Sequence, residues 1–265
     1  MIEGYGMRLF AQAFWLPKAG NKPAEYEDAF APKRLITGEL DEYEGESYHC
    51  AIADGATETS FAAPWAKLLT RAYAQDRLHP DHRLATELPR LQKCWKRLVS
   101  RRPLPWYAEA KANLGAFASL LGLSLSLQDS DAGQIRRFET FAVGDSCIFQ
   151  VRDDKIRYRS PLLTSDQFTQ RPVLFSSLAE KNEMAFKAVC VQAGEWHTHD
   201  CFLLMTDALA CWFLRAYEQG ETPWRMLRDL GTCDGRQSFA DWVTELRTNG
   251  SLKNDDVTLL RVDLG

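Results

Sequence analysis

The sequence predicts an α+β fold in which layers of antiparallel strands and helices pack together. Strand-like apolar runs outnumber the helical ones, and polar turns separate many of them, which favours antiparallel pairing. Amphipathic stretches with a helical period fall between the groups of strands. The chain has 265 residues, 45% of them hydrophobic, which is enough to bury a large core. Runs of strands followed by pairs of helices indicate a layered arrangement.

The predicted strands are short apolar runs, several with alternating small or polar residues. The first, SYHCAIA, leads directly into an Asp-Gly pair, and a later one, FETFAVGDSCIFQV, follows the polar turn QDSDAGQ. The strands are expected at residues 47–53, 117–127, 138–151, 155–158, 186–192, 201–206 and 257–262.

Four segments have the periodicity of amphipathic helices. In the first, Trp65, Leu69 and Tyr73 fall on one face, and Pro64 is accommodated in the first turn. We interpret these aromatic-rich faces as core rather than as cofactor contacts. The helices are expected at residues 61–73, 88–99, 209–217 and 239–246.

Composition and charge narrow the classes of function and location. A net charge of −4 gives no electrostatic reason to expect a nucleic acid or an anionic membrane as partner. The seven cysteines are odd in number and form no CxxC pair, which favours free thiols in a reducing compartment. The N-terminus lacks the pattern of a signal peptide, and no segment has the roughly 18 apolar residues of a membrane span. We therefore expect a cytoplasmic, monomeric protein with one domain over residues 1–265.

Acidic residues recur where apolar runs begin or end. An aspartate at the edge of a core is costly to desolvate unless it is paired, hydrogen-bonded or bound to a metal. Four such sites occur along the chain: Glu27 with Asp28, Asp54, Asp207, and Asp255 with Asp256.

Each of these sites also has an ordinary structural explanation. Asp54 could belong to a β-turn, and Asp207 could cap the helix that follows it. The two acidic pairs could be solvated turn residues. The recurrence of one arrangement at four strand boundaries favours instead a common, oxygen-rich site for a hard divalent cation.

The order of these motifs resembles that of the PPM, or PP2C-like, metal-dependent protein phosphatases. The resemblance extends from about Lys18 to Val262, nearly the whole chain, and its most specific parts are VGDS and NDDVT. The motifs that carry it are, in order, EYEDAF, AIADGA, GAFAS, FAVGDS, LLMTDAL and NDDVTLL.

The resemblance implies a central β-sandwich of two antiparallel sheets flanked by helices on both sides, with two Mg²⁺ or Mn²⁺ ions at its active site. It implies that Asp54 bridges the two ions, that the Gly55 carbonyl helps to hold one of them, and that Asp207 and Asp255 bind the other. Glu27 and Asp28 would act largely through metal-bound waters, with Asp28 counted among the metal-site residues. Two such ions can activate a water for attack on a phosphoryl group.

The chain departs from the family pattern in several places. Ala56 stands where the family has the histidine assigned as general acid, and the segment before Gly115 lacks the aspartate associated with a third metal. The expected phosphate-binding arginine is not in register, which leaves Lys18 or Lys22 as candidates. Asp145 of VGDS, with apolar neighbours, is expected to support the site rather than to bind metal.

The predicted function is hydrolysis of phosphoserine and phosphothreonine in phosphorylated proteins, with Asp54 and Asp207 as the central catalytic residues. Two alternatives remain open. The altered accessory residues favour a weak or inactive relative that binds phosphoproteins, and a third possibility is a hydrolase of small phosphoesters.

Overall fold

A computed structural model describes residues 6–32, 38–56, 61–79, 81–101, 112–130, 133–169, 171–230 and 235–265. Its strands form two large antiparallel sheets and one short two-stranded sheet. The strands are β1 (Met7–Leu16), β2 (Ala29–Ala31), β3 (Asp41–Gly45), β4 (Ser47–Ala53), β5 (Phe117–Ala118), β6 (Leu120–Ser130), β7 (Gly133–Val143), β8 (Cys147–Arg152), β9 (Lys155–Ser160), β10 (Phe175–Ser176), β11 (Cys190–Glu195), β12 (Cys201–Met205) and β13 (Val257–Leu264).

The six-stranded sheet has the order β3-β1-β13-β12-β8-β9, and the five-stranded sheet has the order β11-β7-β6-β4-β2. The short sheet pairs β10 with β5. The two large sheets pack face to face, because alternate residues of each strand point into the space between them. Leu121, Leu123 and Leu125 of β6 and Leu260 and Val262 of β13 lie in this inner core.

Helices cover the outer face of each large sheet. They are α1 (Ala62–Ala74), α2 (His82–Val99), α3 (Glu183–Lys187), α4 (Asp207–Glu218), α5 (Pro223–Asp229) and α6 (Gly235–Thr248). Trp65 and Tyr73 of α1 pack with Trp95 of α2 over the five-stranded sheet. Phe213 of α4 and Phe239 of α6 pack over the six-stranded sheet. The predicted fold class, an α+β sandwich of two antiparallel sheets with helices on both sides, is confirmed.

Three predicted strands need correction. Residues 117–127 divide at Ser119 into β5 and β6, which belong to different sheets. Residues 138–151 form two strands, because Gly144 adopts a φ of +108° and the chain turns there between β7 and β8. Residues 186–192 begin inside α3, and only β11 from Cys190 is extended. An ion pair between Lys187 and Glu183, with 2.6 Å between Nζ and Oε1, spans one turn and supports the helical conformation.

Three further properties bear on the sequence predictions. In the part of the chain that the structure describes, no helix is long and apolar enough to cross a membrane. The six cysteines of the described residues are all free thiols, and Cys50, Cys147 and Cys201 are buried. Cys233 lies outside the described residues.

Candidate functional site

The acidic motifs meet at one end of the sandwich because of the strand pairing. β2 begins where β4 ends, with Ala29 opposite Ala53, so the residues flanking this pair, Asp28 and Asp54, are brought together. In the other sheet, Met205 near the end of β12 lies opposite Leu259 near the start of β13 and opposite Cys147 at the start of β8. Antiparallel pairing thus brings Asp207, Asp255 and Asp145 to the same end of the molecule.

Gly55 permits the close packing of the two acidic segments of the five-stranded sheet. A β-carbon at this position would lie 2.6 Å from the Glu27 carbonyl oxygen and 3.0 Å from the Ala62 β-carbon. No residue with a side chain fits this space without a backbone shift. The Asp54 backbone is fixed as well, since its N–H donates to Ser119 Oγ at 2.9 Å and its carbonyl accepts from Ser119 N at 2.8 Å.

Asp28 is oriented by a chain of hydroxyl groups. It is 1% exposed, and its Oδ2 accepts a hydrogen bond of 2.6 Å from Thr258 Oγ1 on β13. Because Thr258 uses its only proton in this bond, the buried Tyr26 hydroxyl donates to Thr258 in turn. Burial raises the pKa of Tyr26, and the Asp28 charge raises it further, so Tyr26 keeps its proton for this role.

Asp256 holds the segment before β2 against the C-terminal strand. Its Oδ1 accepts from the Lys18 backbone N–H at 2.9 Å, and its Oδ2 accepts from the Glu27 backbone N–H at 2.7 Å. Both oxygens are therefore used for main-chain groups more than 220 residues away in sequence. Asp256 thus has a structural role, and its neighbour Asp255 is the member of the pair that contacts the charged groups of the site.

Lys253 lies between two of the predicted metal ligands. Its Nζ is 2.6 Å from Asp255 Oδ2 and 3.6 Å from Asp207 Oδ2. Asp207 is the first residue of α4, where its charge is favourable to the helix dipole, and its Oδ1 accepts from the Ala208 N–H at 2.6 Å. Partial burial lowers the pKa of Lys253, but the hydrogen bond to Asp255 and the charge of Asp207 outweigh this and raise it above its ordinary value. Sequence reasoning missed Lys253, whose only signal is its position two residues before Asp255.

The carboxylates of the site raise one another's pKa. Burial is the largest cause of the raised pKa of Asp54, followed by the negative charges of Asp28, Asp207, Asp145 and Asp255. Burial likewise raises the pKa of Asp145 to about 7, and the Asp207 charge adds to the effect. The folded protein therefore keeps several carboxylates in a place where their charge is poorly compensated.

The donor atoms suit a hard divalent cation. Among the residues that the structure describes, no group of three or more His, Cys, Asp or Glu side chains is arranged to hold a metal ion. However, Asp28 Oδ1 and Asp145 Oδ1 are buried acceptors that receive no hydrogen bond from any described residue. Carboxylate and carbonyl oxygens are the ligands that Mg²⁺ and Mn²⁺ prefer, and a cation would relieve the mutual repulsion of the carboxylates. The residues present fit such an ion in chemistry and charge.

The remaining predicted residues are placed as follows. The Lys18 and Lys22 backbone N–H groups bind Asp256 and Glu25, and no ion pair joins either ammonium to a described carboxylate. Glu27 is partly exposed beside Gly55, on which its carbonyl closely packs. Ala56, in place of the family histidine, donates its N–H to the Phe117 carbonyl.

Comparison with known proteins relates this fold to phosphatases. No protein-family model matches the sequence, and no curated protein matches it. Among solved structures, the Mycobacterium tuberculosis serine/threonine phosphatase PstP/Ppp is 16% identical, with a TM-score of 0.54, 97% of this chain covered and 99% of that chain. The catalytic domain of PstP in complex with two manganese ions is 16% identical, with a TM-score of 0.50 and the same coverage. The photosystem II phosphatase PBCP is 13% identical, with a TM-score of 0.52 and coverage of 97% and 99%. The chain has the fold of PP2C-type phosphatases, as its motifs predict.

Proposed function

We propose that this protein is a metal-dependent phosphatase that hydrolyses phosphoserine and phosphothreonine in phosphorylated proteins. The observation that supports this most is the convergence of Asp28, Asp54, Asp207 and Asp255 at one end of a sandwich with the PP2C-type fold. Their charge, which Lys253 compensates only in part, is expensive to maintain without a cation. We place the activity in a single cytoplasmic domain that acts as a monomer.

The residues of the proposed site have different roles. Asp54, the Gly55 carbonyl, Asp207, Asp255 and Asp28 would hold two Mg²⁺ or Mn²⁺ ions, which supply charge neutralisation and an activated water when bound. Glu27 acts from the edge of the site through water, and Asp145 orients the surrounding groups.

The hydrolysis needs no nucleophile from the protein. A bond forms between a water oxygen and phosphorus while that water releases a proton to solvent. The bond from phosphorus to the serine or threonine oxygen breaks, and the leaving oxygen takes a proton. With Ala56 in place of histidine, we assign that proton to solvent. The Lys253 ammonium, beside Asp207 and Asp255, attracts the phosphoryl oxygens as a point charge, a role for which Lys18 and Lys22 remain alternatives.

The experiment compares turnover of p-nitrophenyl phosphate and of a phosphothreonine peptide with Mn²⁺, with Mg²⁺ and with EDTA. We expect metal-dependent turnover that falls by at least about 100-fold in Asp54→Asn and in Asp207→Asn, since each removes a charge from the site. Asp154→Asn is the matched control, because Asp154 is an exposed carboxylate paired with Arg225 far from the site. Turnover that survives either site substitution would refute the assignment.

A second candidate function is that of a phosphoprotein-binding module without turnover. The observations that favour it are Ala56 at the histidine position and the lack, among the described side chains, of a group arranged to hold metal. Binding of the phosphothreonine peptide without hydrolysis under any metal condition would support this alternative. A strong preference for the small ester over the peptide would instead indicate a small-phosphoester hydrolase.

A further inference from the structure

A groove of about 340 Å³ lies beside the carboxylate site. It runs between β2, the residues before it and α1, and we call it the β2–α1 groove. Asp28 is one of its lining residues, so the groove adjoins the carboxylate site. The side chains that matter for the argument are those of Trp15, Tyr26, Phe30, Lys67 and Arg71.

The aromatic side of the β2–α1 groove is held in place before any ligand binds. The Trp15 and Tyr26 ring centroids are 4.6 Å apart at an interplanar angle of 36°. Tyr26 is fixed further by its hydroxyl, which is bonded to Thr258. Trp15 and Phe30 remain partly exposed, so apolar surface is available at a rigid site. Such a surface binds an apolar side chain at little cost in ordering.

The opposite side of the groove presents two cations from one face of α1. Lys67 and Arg71 are separated by four residues, so they are neighbours on the helix surface, and both are exposed. Within the described part of the chain, neither forms an ion pair or a side-chain hydrogen bond. Two like charges at this spacing weaken a helix slightly, so helix stability does not account for them. They leave a positive potential facing an apolar surface.

We propose that the β2–α1 groove binds the residues that flank the phosphorylated side chain of a protein substrate and selects acidic residues next to an aromatic one. The cations of α1 match acidic side chains, and the Trp15 and Phe30 surface matches the aromatic one. The shared Asp28 places this segment next to the carboxylates. This inference rests on the proposed function, since it concerns the substrate of the same site.

Direct binding tests the groove separately from catalysis. Two labelled peptides carry a non-hydrolysable phosphonate analogue of phosphothreonine, one flanked by Glu and Trp and the other by Lys and Ala. We expect the wild-type protein to bind the acidic peptide about tenfold more tightly, because each of two exposed charge pairs contributes a few-fold to the affinity. Added salt should remove most of this difference.

The variant pair Lys67→Glu/Arg71→Glu should abolish the preference for the acidic peptide. Lys93→Glu/Lys96→Glu is the matched control, because it makes the same change of net charge at exposed positions of α2. The control should keep the wild-type preference. An equal loss in both variants, or no preference in the wild-type protein, would overturn the proposal. Failure of the proposed function is seen separately, as an absence of p-nitrophenyl phosphate turnover by the wild-type protein with Mn²⁺ or Mg²⁺.

Discussion

Replacing Asp145 by asparagine should stabilise the metal-free protein, and more strongly at high pH than at low pH. Asp145 is 6% exposed, and its Oδ1 has no partner among the described residues. Burial, with the Asp207 charge, raises its pKa from 3.8 to about 7. Between these two values the folded protein binds this proton more tightly than the unfolded chain does. Stability therefore falls as pH rises through this window.

The size of the effect follows from the two pKa values. The charge of Asp145 costs the folded state about 4 kcal/mol at pH 8 and less than half as much at pH 5, where the unfolded chain is already largely ionised. Asp145→Asn removes the cost at both pH values. We expect a gain in the free energy of unfolding that is about 3 kcal/mol larger at pH 8 than at pH 5.

Urea denaturation in EDTA, followed by tryptophan fluorescence at pH 5 and pH 8, measures this gain. Asp154→Asn is the control of opposite sign, because the hydrogen bonds from Arg225 and then Trp224 lower the pKa of Asp154 to about 2. The stability that Asp154 contributes is lost only as pH falls towards 2, so its substitution should destabilise the protein equally at pH 5 and pH 8. A gain for Asp145→Asn that does not change with pH, or a loss, would refute the electrostatic account of the site.

Three further predictions concern the metal, the lysine and the core. Thermal stabilisation by Mn²⁺ should be greater at pH 7.5 than at pH 5.5, because the cation competes with protons for carboxylates of raised pKa, and Asp54→Asn should reduce it; equal melting shifts at both pH values would contradict this. Lys253→Gln removes a positive charge beside the ligands, so Mn²⁺ should bind about threefold more tightly by calorimetry and inorganic phosphate should inhibit less. If Mn²⁺ binding and phosphate inhibition both became stronger, or both weaker, the proposed role of Lys253 would be excluded. Gly122→Ala should lower the free energy of unfolding by about 1–3 kcal/mol, because the new β-carbon would overlap the Tyr73 ring; unchanged urea unfolding would show that α1 can shift.

The sequence predicted those elements whose local pattern is unambiguous. The alternation of SYHCAIA located β4 to the residue, and the aspartates at the ends of buried strands identified the candidate site. β1 was missed because MRLFAQAFWL is an almost continuous apolar run without a strand period. Its burial between β3 and β13, which removes that period, is a property of the assembled sheet.

Contacts between distant parts of the chain account for the other gaps. The role of Asp256 depends on two backbone N–H groups near the opposite end of the sequence. The position of Lys253 and the shape of the β2–α1 groove depend on how separate segments of the chain pack together in the fold. Neither the spacing of motifs nor the composition of the sequence indicates which distant residues come into contact. The acidic positions could be picked out because the desolvation cost of each carboxylate is local, whereas the residues around them could not.

The position of β13 determines when the six-stranded sheet can close during folding. This strand lies between β1 and β12, and it supplies Thr258, which binds Asp28. While the chain is still on the ribosome, β1 has no partner on that side and exposes an apolar edge to other nascent chains. A shortened product that ends before residue 256 would lack the central pairing and the contacts of Asp28 together. The carboxylate site therefore cannot assemble fully until β13 has paired with β1 and β12.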